Sequence, residues 1–294
     1  MDVIAIINGL GNQMSGYAFY LQKKKMGQSP VLLCYNTDHN GIELKKLFGI
    51  ECENKTIKQK VFSKILMILL KRTRLNKRLE SYIRRALFKL GIKLYIEFKD
   101  KTFHPEYLET GKRLKFYYGS WTSEKYMQDI KDEINKLYSF PPFNDTNNIK
   151  IENQIADKDN AVAIHIRRGD YLKGGNYELF GKVCNENYYL NAIRKIEEKI
   201  ASPEYYIFSN DIEWSKQFMK GRNAIFIDWN RGKNSWKDMA LMSKFKNIVI
   251  PNSTFSWWAA WLNGEKKFVI CPECVIYGIR ENDFYSQNWN KISE

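Results

Sequence analysis

The segment His165-Ile166-Arg167-Arg168-Gly169-Asp170 carries the densest set of chemically capable side chains in this chain. It continues the apolar run Ala161-Val162-Ala163-Ile164, so it reads as the end of a strand. His165 and Arg167, two residues apart, then point to one face and Arg168 to the other. Adjacent arginines are costly to bury unless they meet an anion. A guanidinium matches a phosphate with two parallel hydrogen bonds, a geometry that lysine cannot reproduce. The ordinary reading of such a pair is a surface salt bridge, and only the position of the strand end favours a phosphate grip. A second cluster, Asn252-Ser253-Thr254-Phe255, follows the apolar run 247–250 and opens a tryptophan-rich helix. Ser253 or Thr254 is the predicted N-cap. The first N–H groups of that helix and its partial positive charge also suit a phosphate.

These residues need elements to hold them. Runs of strand length recur at 161–166, 205–208, 224–227, 247–250 and 268–270, with helix-period stretches such as 188–200 between them. Strands alternating with helices predict a parallel sheet covered on both faces, a Rossmann-like domain. The strands end in polar residues: the arginine segment, Ser209-Asn210-Asp211, Asp228-Trp229-Asn230 and Asn252-Ser253-Thr254. Ligands of open α/β sheets bind beyond the carboxyl ends of the strands, so these four clusters are expected around one crevice. The N-terminal region repeats the logic, with a strand at 3–7, the turn Asn8-Gly9-Leu10-Gly11, a helix over 13–25 and a strand at 31–34. Its glycines do not complete a dinucleotide fingerprint, because Met14 holds the third glycine position. The polar, Asn/Asp-rich stretch 141–159 reads as an interdomain linker, dividing the chain into domains 1–150 and 151–294.

With 44% hydrophobic and 27% charged residues among 294, the composition is that of an ordinary globular protein. A net charge of +14 calls for a partner bearing phosphate: a nucleotide, a nucleic acid or an anionic membrane. No nucleic-acid motif accompanies the charge, which argues against that partner. Basic residues dominate 55–93 around an apolar stripe of helical spacing, either a solvated face of packed helices or a surface for anionic lipid. The start of the chain reads as a strand and not as a leader, and the longest apolar run, 65–70, is too short to cross a bilayer. Five scattered cysteines fit a reducing compartment, and Cys271-Pro272-Glu273-Cys274 lacks the second pair that structural zinc needs. These features together predict a cytoplasmic protein. Asp157-Lys158-Asp159 precedes its strand, at the wrong end of the sheet to hold a metal against a diphosphate. No metal or other cofactor is therefore expected, and arginine and helix dipole are left to neutralise the anion.

At these residues the sequence resembles the bacterial α-1,2-fucosyltransferases of glycosyltransferase family 11. The likeness rests on His165 through Tyr171, on Gly9-Leu10-Gly11-Asn12-Gln13-Met14, on Ser123-Glu124-Lys125-Tyr126, and on Asn252 through Leu262, in that family's order. It implies a GT-B fold, two Rossmann-like domains facing across a cleft, with the basic helical region around 55–95 inserted in the first and a C-terminal tail able to cross back. It implies an inverting, metal-independent transfer of fucose from GDP-fucose to an oligosaccharide or lipid-linked glycan, or the same chemistry with another GDP-sugar. Such an enzyme would work in the cytoplasm or on the inner face of the membrane. By this similarity Arg167 would hold the β-phosphate, with Arg168 beside it, and Asn252, Ser253, Thr254 and Phe255 would flank the diphosphate. His165 and Asp238 would read the guanine, and Gly11, Asn12 and Gln13 would line the cleft from the first domain. Asp170 is the first choice for the catalytic base and Glu178 the second. The chain departs from the family at Asn8, where a glycine is usual, and at Ser15 and Gly16, where an aromatic and a Gln or Glu are usual.

Overall fold

The computed structural model describes residues 2–34, 39–51, 77–97, 101–111, 113–262 and 268–293. The chain forms two compact units, one of residues 1–98 and 103–139, the other of 99–102 and 140–294.

The first unit begins with β1 (Asp2–Ile6), α1 (Leu10–Lys25), β2 (Val31–Cys34) and α2 (Leu44–Phe48), then α3 (Lys77–Lys89), β3 (Ile92–Ile96), β4 (Leu114–Tyr118) and α4 (Lys131–Leu137). Its sheet is parallel, in the order β2-β1-β4-β3. Every residue of β1 is buried, as expected of a central strand with helices on both faces. One face packs Val3, Ala5 and Ile7 with Leu94 and Phe116. The other packs Ile4 in an aromatic cluster of Phe19, Tyr95, Tyr107, Tyr117, Trp121 and Tyr126. The high aromatic content of the sequence thus serves this core.

The second unit contains α5 (Thr146–Ile155), β5 (Ala161–Ile166), α6 (Glu186–Lys199), β6 (Glu204–Ser209), α7 (Ile212–Phe218) and β7 (Ala224–Ile227). It continues with α8 (Trp236–Met242), β8 (Asn247–Val249), α9 (Thr254–Trp261), β9 (Phe268–Pro272) and β10 (Asn290–Ile292). All six strands are parallel, in the order β10-β9-β8-β5-β6-β7. The chain runs outward from β5 to β7, then crosses back to the other side of β5 for β8 to β10. The reversal lies between β5 and β8, and the crevice at such a switch point is where open α/β sheets bind ligands.

Four expectations change. The stretch 141–159 is not a linker: Asp145 caps α5 by accepting the Asn148 N–H, and Ile151 and Ile155, four apart, are buried. The unit boundary therefore falls at 139/140, and 99–102 joins the second unit, where the Asp283 N–H donates to the Lys101 carbonyl. The tail does not cross back, since β10 pairs with β9 in the second unit's own sheet. Finally, Cys34 is disulfide-bonded, so the scatter of cysteines carries no inference about compartment. Of the basic region, residues 55–76 lie outside the described residues. The remainder forms α3, where Arg84 donates to the Leu94 carbonyl at 2.8 Å and Leu87 packs on the sheet. Among the described residues no helix is long and apolar enough to cross a membrane.

Candidate functional site

The site is built on the carboxyl ends of β5 and β8. Tyr171 joins them, its hydroxyl donating to the Asn252 carbonyl at 3.0 Å. Tyr189 of α6 fixes the exit of β5: its hydroxyl donates to the His165 carbonyl at 3.3 Å and accepts the Arg167 N–H at 3.4 Å. Gly181 lets the loop after β5 close on itself, because a Cβ there would stand 2.4 Å from the Tyr171 carbonyl oxygen.

His165 is buried, with its ring centroid 5.8 Å from that of Phe255. Burial, aided by the Arg167 charge, pushes its pKa down to about 3, so the imidazole is neutral at physiological pH. Arg167 reaches Asp170 with Nη2 at 2.8 Å from Oδ1, and its guanidinium carbon lies 5.4 Å from the Tyr171 ring centroid. Arg168 points elsewhere, as strand alternation requires. Its Nε donates to Asp211 at 3.0 Å and its guanidinium carbon sits 4.0 Å over Trp214. The structure thus separates the two arginines and gives Arg168 the task of bracing the strand end against α7, not of lining the crevice beside Arg167.

On β8's side, Asn252 is anchored through Nδ2 to the carbonyls of Phe180 and Val275, at 3.2 and 2.8 Å. Ser253 caps α9, its hydroxyl accepting the Phe255 N–H at 3.3 Å. Thr254 and Phe255 are half-buried in the first turn. Five buried side-chain nitrogen or oxygen atoms among the described residues lack a hydrogen-bond partner, and three of them are His165 Nδ1, Arg167 Nε and Asn252 Oδ1. Buried polar atoms are normally paired. Their gathering at one switch point marks a place built to receive a polar ligand.

Asp238, in the first turn of α8, is half-buried and accepts a hydrogen bond from Asn230 Nδ2 at 2.8 Å. Burial pushes its pKa up to about 7, against the lowering influence of Asn230 and Arg231. Asn230 pairs with Asn148, whose part the sequence reading missed. The available signal was Asp145 three residues ahead of it, a helix N-cap followed by apolar residues four apart.

Of the two candidate bases, Asp170 is half-exposed in its ion pair with Arg167, whereas Glu178 is exposed and paired to Lys182 at 2.6 Å. The Asp157–Asp159 pair stays at the amino end of β5, with Asp159 on Lys246 at 2.5 Å.

In the first unit, Gln13 is a structural anchor. Its amide donates to the Asn8 and Gly41 carbonyls, both at 2.8 Å, and accepts the Glu43 N–H at 2.9 Å, which uses its capacity and corrects its place among ligand contacts. Gly11 is buried, its carbonyl accepting the Ser15 hydroxyl, and Asn12 is half-buried. Asn8 takes φ 59°, a conformation asparagine tolerates, so it can stand where the family uses glycine. Ser15 is buried against Thr122 at 2.9 Å, and a Cβ at Gly16 would meet Ile6 Cδ1 at 2.9 Å. The larger residues usual at these positions have no room here.

The sequence model of Glycosyl transferase family 11 matches residues 3–293. The O-antigen biosynthesis glycosyltransferase WbnK of Escherichia coli is 30% identical over 96% of this chain and 97% of its own. An alpha-1,2-colitosyltransferase of Escherichia coli is 34% identical over 53% of this chain, and the match spans 54% of that protein's length. Among solved structures, the fucosyltransferase NodZ from Bradyrhizobium superposes with a TM-score of 0.50 at 12% identity, covering 89% of this chain and 92% of that one. That likeness is one of fold, and the fold is of the GT-B type.

Proposed function

Because this chain belongs to glycosyltransferase family 11, we propose that it moves L-fucose from GDP-fucose to a sugar hydroxyl, inverting the anomeric carbon to give an α-1,2 linkage without a metal ion. The observation that carries this reading is the trio of unpartnered atoms on His165, Arg167 and Asn252 beside the start of α9. An arginine fork, helix N–H groups and a neutral imidazole suit a nucleoside diphosphate. The colitosyl relative supports the 1,2 linkage, and WbnK, named for O-antigen biosynthesis, supports a bacterial surface glycan as acceptor.

In this mechanism the acceptor hydroxyl attacks the fucose anomeric carbon from the side opposite GDP. Negative charge grows on the departing phosphate, where Arg167 and the first turn of α9 stabilise it. A preorganised donor of this kind is worth ~3 to 4 kcal/mol. When the β-phosphate takes the Arg167 fork, Asp170 is released from its 2.8 Å pairing and becomes free to accept the hydroxyl proton. His165 and Asp238 read the guanine.

A colitose donor is the second reading, favoured by the 34% identity to the colitosyltransferase. Incubation with a panel of nucleotide sugars in excess EDTA, scored by nucleotide release with and without acceptor, tests these points together. Release from GDP-fucose that survives EDTA is expected. Dependence on added Mn²⁺ or Mg²⁺ would overturn the metal-free mechanism, and a preference for a UDP-sugar would overturn the donor. The protein further works on the cytoplasmic face of an anionic membrane in this reading. On α3, exposed Arg78, Arg85 and Lys89 alternate with exposed Tyr82 and Phe88, chemistry suited to a lipid headgroup layer. Salt-reversible sedimentation with anionic but not neutral liposomes is expected, and equal binding to both would refute it.

A further inference from the structure

The turn after β7 and the start of α5 carry an amide relay with a defined direction. Asp145 lies at its outer end, its carboxylate accepting from Asn148 Nδ2 at 2.9 Å on both oxygens and from Lys237 Nζ at 2.7 Å. A carboxylate held by a lysine and a helix N-terminus only accepts, and its pKa is lowered to about 2 by the hydrogen bonds of Asn148 and Lys237, which outweigh its slight burial. Asn148 must therefore turn its N–H side toward Asp145. The same Nδ2 donates to Asn230 Oδ1, and Asn148 Oδ1 accepts from Asn230 Nδ2, each at 2.8 Å. Trp229 Nε1 adds a further donor to Asn148 Oδ1 at 3.2 Å, so this oxygen is committed as well. With its own oxygen taken by Asn148, Asn230 can present only N–H to Asp238, and it does so at 2.8 Å to Oδ1. Asn148 and Asn230 are both buried. Amides saturated on both sides in this way cannot rotate without leaving buried groups unpaired.

We propose that Asn148 and Asn230 are positioning residues that hold Asp238 with one carboxylate oxygen engaged and the other turned to the nucleobase of the donor. This rests on the reading that the donor is a guanine nucleotide. Guanine presents two adjacent donors, the N1–H and the N2 amine, which a carboxylate in a fixed plane can accept together. Uracil, cytosine and adenine lack that pair. Hypoxanthine keeps the N1–H and lacks the amine, so the ratio of GDP to IDP affinity reports the plane of Asp238, and the ratio of GDP to GMP affinity reports the phosphate grip.

The test is calorimetric titration of the full chain with GDP, IDP, GMP, ADP and UDP. The native protein should prefer GDP over IDP by about tenfold or more, the loss of one charge-assisted hydrogen bond. In Asn230→Ala and Asn148→Ala that preference should fall to within about threefold while the GDP-to-GMP ratio holds, on the ground that only the base contact has lost its alignment. A milder variant, Asp145→Asn, keeps a good N-cap but lets the first amide turn over, and should lower the GDP-to-IDP ratio by a few-fold with the fold intact. Variants that fold and keep the full GDP-to-IDP preference would overturn the relay, as would a parallel loss of affinity for GDP, IDP and GMP. A native protein that binds ADP or UDP as tightly as GDP would instead overturn the donor reading on which the relay depends.

Discussion

Arg167→Ala separates catalysis from stability. The side chain makes one ion pair, with Asp170, whose own side chain is 49% exposed, and its Nε has no partner to lose. An exposed pair of this kind contributes about 0.2–1 kcal/mol to folding. For a unit of this size that corresponds to a fall in Tm of at most ~4 °C. The catalytic loss should be far larger, because the guanidinium faces charge that develops only as the phosphate departs. Removing one preorganised donor to such a charge lowers kcat by about 10²–10³, and Arg167→Lys should recover only part, since an ammonium offers no planar fork. The assay is kcat at saturating GDP-fucose, by GDP release in the presence of acceptor, alongside thermal unfolding without nucleotide. Asp170→Asn completes the set: it should bind GDP at least as tightly as the native protein, its competition for Arg167 gone, yet lose most of its kcat. A folded Arg167→Ala protein with near-normal kcat would refute the phosphate role. An Asp170→Asn variant of undiminished kcat would remove Asp170 as the base.

Arg168→Ala should behave in the opposite way, with Tm lowered by several degrees through loss of the Asp211 and Trp214 contacts and kcat changed only a few-fold. A hundredfold loss of kcat at unchanged Tm would return Arg168 to the donor site. GDP affinity should depend on pH through Asp238: guanine N–H groups need the ionised carboxylate, so affinity is full above the pKa of about 7 and declines as pH falls through it. Isothermal titration from pH 5.5 to 8.5 measures this, and a flat profile that persists in Asp238→Asn would exclude the carboxylate from the base contact.

Strand alternation in the sequence was enough to send Arg167 and Arg168 to opposite sides, and the polar strand ends were enough to locate the crevice. What alternation cannot convey is which neighbours wait on each side. That Arg168 finds Asp211 and Trp214, while Arg167 Nε finds no partner, depends on the packing of α7 and on Tyr189, a turn of helix away in three dimensions but over twenty residues away in sequence. Composition misled at 141–159, where Pro, Asn and Asp imitate a linker. There Asn148 is buried only because Asn230, far along the chain, completes its hydrogen bonds. Gln13 misled for a related reason: a polar residue in a glycine-rich turn looks available to a ligand until the carbonyls of Asn8 and Gly41 claim it.

The seam between β5 and β8 has a mechanical consequence. β5 is aligned with β6 over six residues, from Ala161 to Ile166, but with β8 over only Val162, Ala163 and Ile164. The two halves of the second sheet are thus joined along its shortest internal pairing, formed between segments remote in sequence and therefore slow to find each other. Within the second unit, opening of the native state should begin along this line, between one block carrying β5, β6 and β7 and another carrying β8, β9 and β10. Arg167 belongs to the first block and Ser253 to the second. A diphosphate held by both would act as a clasp across the weakest join of the sheet, so hydrogen exchange at Val249 and Ile250 should slow on nucleotide binding more than exchange within β6.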